Sequence, residues 1–165
     1  MQRRTFLTTG AIGTAATALA TPAIAQDKRQ WKMVTAWPKN LPGPGVAAQQ
    51  LADRITTLSG GRIEVKLFPA GELVPGRGVF DAVSEGTAEL YHAVPAYWGS
   101  KSKGILLFGS QPFGLRADEQ VGWMVHGGGQ ALYDEMYGRF GIKPFLCGNS
   151  GPQWGGWFRN EVNSA

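Results

Sequence analysis

Over residues 62–67 apolar and charged side chains alternate without exception, with Ile63, Val65 and Leu67 on one side and Arg62, Glu64 and Lys66 on the other, and the segment ends at Phe68. A period of two places the aliphatic set on one face of a β-strand and the charged set on the opposite face. Ser59-Gly60-Gly61 ahead and Pro69-Ala70-Gly71 behind fence the segment, so the strand cannot extend in either direction. Residues 46–58 carry Val46, Leu51, Ile55 and Leu58 at helical spacing, which predicts an amphipathic helix that the glycines stop. Residues 30–36, where Trp31, Met33 and Thr35 alternate with Lys32 and Val34, predict a strand before that helix. Strands separated by a helix imply parallel pairing through crossover connections, so the fold class is α/β.

The pattern continues along the chain. Residues 78–84 predict a short helix with Val79, Phe80 and Val83 inward, and residues 89–94 a third strand. Residues 117–140 read as helical but broken by Gly127-Gly128-Gly129, and residues 142–147 and 153–159 as two further strands. In open parallel sheets, ligands bind outside the carboxyl ends of the strands. The loops that lie there are residues 37–45, 69–77, 95–104 and 148–152, rich in Gly, Pro, aromatic and amide side chains and poor in catalytic groups.

The start of the chain reads differently. Arg3-Arg4, a weakly apolar stretch over residues 6–20 and the small-residue triplet Ala23-Ile24-Ala25 have the form of a secretory signal peptide over residues 1–25, cleaved after Ala25. Arg3-Arg4-Thr5-Phe6-Leu7 has the form of a twin-arginine address. That predicts export to the periplasm. Loss of Arg3 and Arg4 takes the formal net charge from +4 to +2. The remaining basic residues are dispersed among acidic ones, which leaves no footprint for nucleic acid. Cys147 is the single cysteine, so no intramolecular disulfide can form, and its apolar surroundings in Pro144-Phe145-Leu146-Cys147-Gly148 predict a buried, inert thiol. The polar end at residues 161–165 reads as the approach to another helix, which predicts a missing second half.

Several motifs suggest chemistry. Gly43-Pro44-Gly45-Val46-Ala47-Ala48 matches a dinucleotide fingerprint, but residues 38–42 intervene where a tight turn is required, and Glu64 lies inside its strand instead of closing it. It reads as a loop that starts a helix, whose N-terminus could still attract an anion. His126-Gly127-Gly128-Gly129 has the form of an esterase oxyanion loop. No G-x-S-x-G elbow accompanies it, so a helix break is expected. His92 has no second His or Cys spaced to share a metal, and reads as a satisfied polar residue near the sheet. No acid, base and nucleophile set emerges, which favours a binder over an enzyme. Tyr97-Trp98 after the third strand suits either a pocket wall or local core packing. Asn149 and Gln153, in the Gly-rich run Gly148-Asn149-Ser150-Gly151-Pro152-Gln153-Trp154-Gly155-Gly156-Trp157, supply amides to a ligand. Arg159 is either a carboxylate clamp or a surface partner of Glu161.

Trp31-Lys32-Met33-Val34-Thr35-Ala36-Trp37-Pro38, Phe68-Pro69-Ala70-Gly71-Glu72-Leu73-Val74-Pro75, Tyr97-Trp98-Gly99 and Gln153-Trp154-Gly155-Gly156-Trp157-Phe158-Arg159 resemble the solute-binding proteins of tripartite ATP-independent periplasmic (TRAP) transporters. The branch they resemble binds α-keto acids and related 2-hydroxy acids. The resemblance implies a periplasmic-binding-protein-like fold of two α/β lobes, of which residues 26–165 hold mainly the first lobe and the start of the crossover to the second. It implies a small carboxylate as ligand, TRAP membrane permease subunits as partners, and a homodimer of the full-length protein as a candidate assembly. Gln153 then corresponds to a glutamine that contacts the ligand and a bridging cation, sodium or calcium, and Tyr97 and Trp98 to the wall. The clamping arginine and acidic metal ligands fall beyond Ala165, so Arg159 is structural. The alternatives are an exported hydrolase, which needs a nucleophile, and a sensor module sharing the fold.

Overall fold

The computed structural model describes residues 28–109, 111, 113–151, 156–161 and 163. The segment read as a signal peptide, Gln153 and the middle of the final glycine-rich run lie outside them. Three strands, β1 (Arg29–Thr35), β2 (Ile63–Phe68) and β3 (Leu90–His92), form a parallel sheet in the order β2-β1-β3. Helix α1 (Pro44–Leu58) connects β1 to β2, and α2 (Val79–Ser84) precedes β3. Two further helices follow, α3 (Ala117–His126) and α4 (Gly129–Gly138). Among the described residues no helix is long and apolar enough to cross a membrane.

β1 is central because it alone has two covered faces. Met33 and Val34, adjacent and therefore on opposite faces, are each 1% exposed. Met33 packs with Val65 and Ala52 under α1, whereas Val34 joins the larger cluster built on Phe80, Trp98 and Tyr137. β2 pairs with β1 from Arg29↔Ile63 to Val34↔Phe68 but keeps Glu64 and Lys66 exposed. Its strict alternation records that only one of its faces is covered along most of its length.

The face of α1 differs from the predicted one. Val46 and Leu58 are exposed, and the helix meets the sheet through Ala48 and Ala52, both fully buried, with Leu51 and Ile55 flanking the seam. Small side chains four residues apart let the helix lie close on the sheet, while Leu58 falls past its edge. The last turn is tied to β2 through hydroxyls: the backbone N–H of Ile63 donates to Ser59 Oγ at 3.0 Å and that of Val65 to Thr56 Oγ1 at 3.1 Å.

The opposite layer is aromatic. Phe80 on α2 lies 5.3 Å from Trp98, 6.1 Å from Tyr91, 5.9 Å from Tyr137 and 5.1 Å from Phe140, centroid to centroid. Burial pushes the phenols of Tyr91, Tyr133 and Tyr137 well above their ordinary range, so they remain neutral. The triple glycine between α3 and α4 has a steric cause. A Cβ on Gly127 or Gly129 would stand 2.8 Å from atoms of Trp123, and Gly128 has φ 82°. The segment is a helix break, and its resemblance to an oxyanion loop is incidental.

Two predicted strands are not formed among the described residues. Residues 142–147 form no regular element; Ile142 and Pro144 are buried, but no backbone ladder pairs the segment. Pro144 has no N–H to offer, and its carbonyl is taken by the Gln130 side chain at 2.9 Å. Residues 156–158 are likewise unpaired, and the rest of the predicted 153–159 strand lies largely outside the described residues. Cys147, expected to be buried, is exposed, because the chain leaves the core after Pro144 and residues 145–147 are all exposed. The third strand is also shorter than the predicted 89–94.

Ala52→Leu should overpack the seam between α1 and Met33, lowering stability by about 1–3 kcal/mol in urea denaturation. The exposed Val46→Ala should change it by less than about 0.5 kcal/mol.

Candidate functional site

The carboxyl ends of β1 and β3 are joined beyond the sheet. The backbone N–H of Ala36 donates to the His92 carbonyl at 3.2 Å, and the Trp37 indole N–H donates to His92 Nδ1 at 2.8 Å. The Trp37 carbonyl accepts from the Thr35 hydroxyl at 3.0 Å and from the Ala70 N–H, in the loop after β2, at 2.9 Å. Thr35, Trp37 and His92 are 2%, 9% and 7% exposed. Because Nδ1 accepts, the proton of neutral His92 sits on Nε2, which is buried and has no partner among the described residues. Desolvation holds the imidazole below its ordinary pKa, so the neutral form persists. His92 is thus half satisfied, where full satisfaction was expected.

Tyr97 leans on this knot. Its ring lies 6.0 Å from that of Trp37, and the Arg77 guanidinium stands over it at 5.3 Å from the centroid. Tyr97 and Trp98 occupy one short 3-10 turn (Pro95–Trp98), in which successive side chains point about a third of a turn apart. Their rings are perpendicular, 6.0 Å apart, and their environments differ. Tyr97 remains partly exposed, whereas Trp98 is 3% exposed in the Phe80 cluster. Of the two readings of the pair, core packing holds for Trp98, while Tyr97 packs against that core and stays partly exposed.

Asn149 is exposed, and its Oδ1 accepts from the Gly151 N–H at 2.6 Å, closing an Asx turn. No contact among the described residues joins it to Tyr97. Gln153, expected to touch both ligand and cation, lies outside the described residues. Those residues bring together no three His, Cys, Asp or Glu side chains able to hold a metal ion, so they do not by themselves fit a cation site.

The start of α1 is not an anion site. The N–H groups of Gly45 and Val46 donate to the Leu41 carbonyl at 3.0 and 3.2 Å, that of Ala47 donates to Gly43 at 2.8 Å, and Pro44 has none. The intervening residues 38–42, which spoil the dinucleotide fingerprint, fold back to satisfy the helix themselves. A surface depression of about 170 Å³ lies elsewhere, lined by Leu107, Leu115, Gln120 and Trp123 among others, and Tyr97, Trp37 and Asn149 take no part in it. The Tyr97 site is an open wall. The residues that sequence reasoning left without a role in it are Trp37, which stood within a recognised motif, and Arg77, at the end of the loop 69–77. Nothing in their spacing shows that both converge on Tyr97.

Residues 33–164 match the family described as bacterial extracellular solute-binding protein, family 7. The chain is 40% identical over 172 residues to a monocarboxylate 2-oxoacid-binding periplasmic protein of Nostoc sp., covering 99% of this chain and 47% of that protein. The chain therefore spans about half the length of the curated relative it matches. A TRAP periplasmic solute-binding protein from Pseudoalteromonas atlantica, solved with sodium and pyruvate, superposes with a TM-score of 0.79 at 36% identity, over 82% of this chain and 41% of that one. Another from Colwellia psychrerythraea, with calcium and pyruvate, gives 0.79 at 35% identity over 83% and 42%. A third, from Bordetella bronchiseptica, a mixed-occupancy dimer with calcium and picolinate at its occupied site, gives 0.77 at 37% over 81% and 40%.

Protonating His92 would set an Nδ1–H against the Trp37 N–H. Its folded pKa is lowered, so its contribution to stability is complete above the ordinary value of about 6.5 and is lost as pH falls below it. Urea midpoints at pH 7.5 and 5.0 should therefore fall further for the wild type than for His92→Gln. An equal fall in both would remove His92 from the acid sensitivity.

Proposed function

The chain belongs to family 7 of the bacterial extracellular solute-binding proteins, and from that premise we propose that its full-length protein captures a small 2-oxo or 2-hydroxy monocarboxylate and delivers it to TRAP permease subunits in the membrane. The observation that carries this reading is the joint match to a 2-oxoacid-binding relative at 40% identity and to two pyruvate-bound solute-binding proteins at TM-scores of 0.79. Neither the hydrolase nor the sensor alternative has comparable support. Residues 1–25 are the export signal in this reading, with a twin-arginine address, and residues 26–165 form the first lobe, acting in the periplasm.

The chemistry suits capture. Tyr97 offers a ring and a hydroxyl at the carboxyl end of the sheet, held from behind by Trp37 and Trp98. Asn149 and Gln153 add amides from the final glycine-rich run, and Gln153 also holds a cation of the kind that the sodium- and calcium-bound neighbours contain. A second lobe closes over this wall by hinge motion and excludes water. The role proposed requires no bond to be broken.

Heating the full-length protein with a panel of acids tests the substrate class. Pyruvate- and lactate-like acids should raise the melting temperature, since ligand at a hundredfold excess over Kd adds about 2.7 kcal/mol to the native state. A panel in which no carboxylate moves the curve removes the assignment.

Calorimetric titration of two variants tests the placing of the site. Gln153→Ala leaves ligand and cation partners unsatisfied, at a cost of roughly 1–3 kcal/mol, or about a tenfold to hundredfold loss of affinity. Arg159→Ala should leave affinity unchanged. The reverse ranking would show that the site lies elsewhere on the final run.

A further inference from the structure

We propose that His92 is a positioning residue for ligand capture: its neutral imidazole holds the Trp37 indole against Tyr97, and protonation of that imidazole frees the indole and releases the ligand. The inference rests on the reading above, in which Tyr97 belongs to the ligand wall, and adds to it a proton taken up as the ligand leaves. Three observations carry it. The first is that Trp37 meets both partners. Its indole N–H donates to His92 Nδ1 at 2.8 Å, and its ring lies 6.0 Å from that of Tyr97, centroid to centroid.

The second observation is that this link tolerates one protonation state only. An indole nitrogen donates and never accepts, so Nδ1 must be bare to receive it. A proton on Nδ1 sets two N–H groups face to face. His92 and Trp37 are 7% and 9% exposed, which denies the two donors water as a substitute partner. The third observation is that nothing around the ring receives the new charge. His92 Nε2 has no partner among the described residues, and burial is what governs the titration of the ring. On β1, the Lys32 ammonium is taken by the Thr87 carbonyl at 2.8 Å. On β3, the Glu89 carboxylate accepts from the Lys32 backbone N–H at 2.6 Å, and Tyr91 packs in the Phe80 cluster. Lys39, Glu72 and Arg77, in the loops after β1 and β2, are exposed.

The two effects that a protonated His92 can have on an anionic ligand carry opposite signs. A cation acting through space attracts the anion, so binding tightens as pH falls. A positioning residue that loses its hold on Trp37 weakens binding as pH falls, because the neutral form is the one that binds. His92 titrates below its ordinary value of about 6.5, so affinity is level near pH 7 and drops on the acid side. With one proton taken up on release, Kd rises by at most about tenfold for each pH unit.

Isothermal titration of pyruvate into the full-length protein between pH 7.5 and 4.5 tests the proposal, with ligand-free melting curves confirming a native protein at each pH. Pyruvate stays ionised over this range, and the other groups of the site are common to all variants, so differences between variants isolate His92. Wild-type Kd should be level near pH 7 and weaken by roughly threefold to tenfold at pH 4.5. His92→Leu removes the acceptor and should weaken Kd about tenfold at pH 7.5. His92→Asn keeps an acceptor that does not titrate; it should recover most of that loss and show less weakening in acid than the wild type. Trp37→Phe keeps a ring but loses the N–H, and should also blunt the acid response although His92 is still present. Should His92→Leu fail to fold, the pH profiles of the other three proteins decide the matter. Equal acid weakening in the wild type and His92→Asn overturns the proposal, as does a full wild-type response in Trp37→Phe. Tighter wild-type binding in acid overturns it too, because it marks a charge acting through space. Each of these leaves the carboxylate-binding reading intact, whereas a wild type that binds no carboxylate at any pH overturns both.

Discussion

The hydrogen bond from the Trp37 indole to His92 Nδ1 spans 55 residues of sequence and joins the carboxyl ends of the first and third strands. β3 is only three residues long, and such a short strand gains little from its ladder alone. The indole bond, together with the Ala36 bond to the His92 carbonyl, continues the pairing beyond the sheet with side chains where the backbone stops. The same tryptophan holds the loop after β2 through Ala70 and packs on Tyr97. Three loops are therefore positioned by one buried residue. It needs a neutral imidazole as acceptor, and burial keeps His92 in that form.

The elements that could be read in the sequence are those whose signal is local. Arg62 to Leu67 alternates because only one side of β2 is covered along most of its length, and the helix breaks at Gly127 to Gly129 because Trp123 fills the space that side chains at Gly127 and Gly129 would need and Gly128 takes a positive φ. The failures have one cause, a dependence on distant neighbours. Hydrophobic spacing put Val46 and Leu58 on the inner face of α1, but the sheet is met by Ala48 and Ala52, whose small size is favourable only because a strand lies close. Residues 142–147 have strand composition, and a strand is defined by a partner that composition does not reveal.

The candidate site divides in the same way. Tyr97 and Trp98 were legible as a pair, but a 3-10 turn gives neighbours opposite fates, and only packing decides which of them enters the core. The Phe80, Tyr91 and Tyr137 cluster takes the indole, so the phenol is left for the surface. Arg77 was invisible because it is 20 residues from Tyr97 and belongs to no motif. Its placement follows from Gly76, where the absence of a side chain allows the turn to press on Ala36.

An open wall cannot hold a small carboxylate tightly. At the surface, an arginine and a carboxylate about 4 Å apart attract by only about 1 kcal/mol in bulk water, and water competes for every donor. The same pair, covered by a second layer of protein, sits at a lower effective dielectric and gains severalfold in attraction. The chain spans 41–42% of the length of its two pyruvate-bound neighbours, which leaves ample polypeptide in proteins of this kind to supply that cover. In the reading proposed above, a rigid half, tied together through Trp37, would present pre-aligned groups, and closure of a second half would remove the water that otherwise cancels them. On that reading, rigidity on this side would limit the entropy lost at closure, because the Tyr97 ring already packs on Trp37 and Trp98.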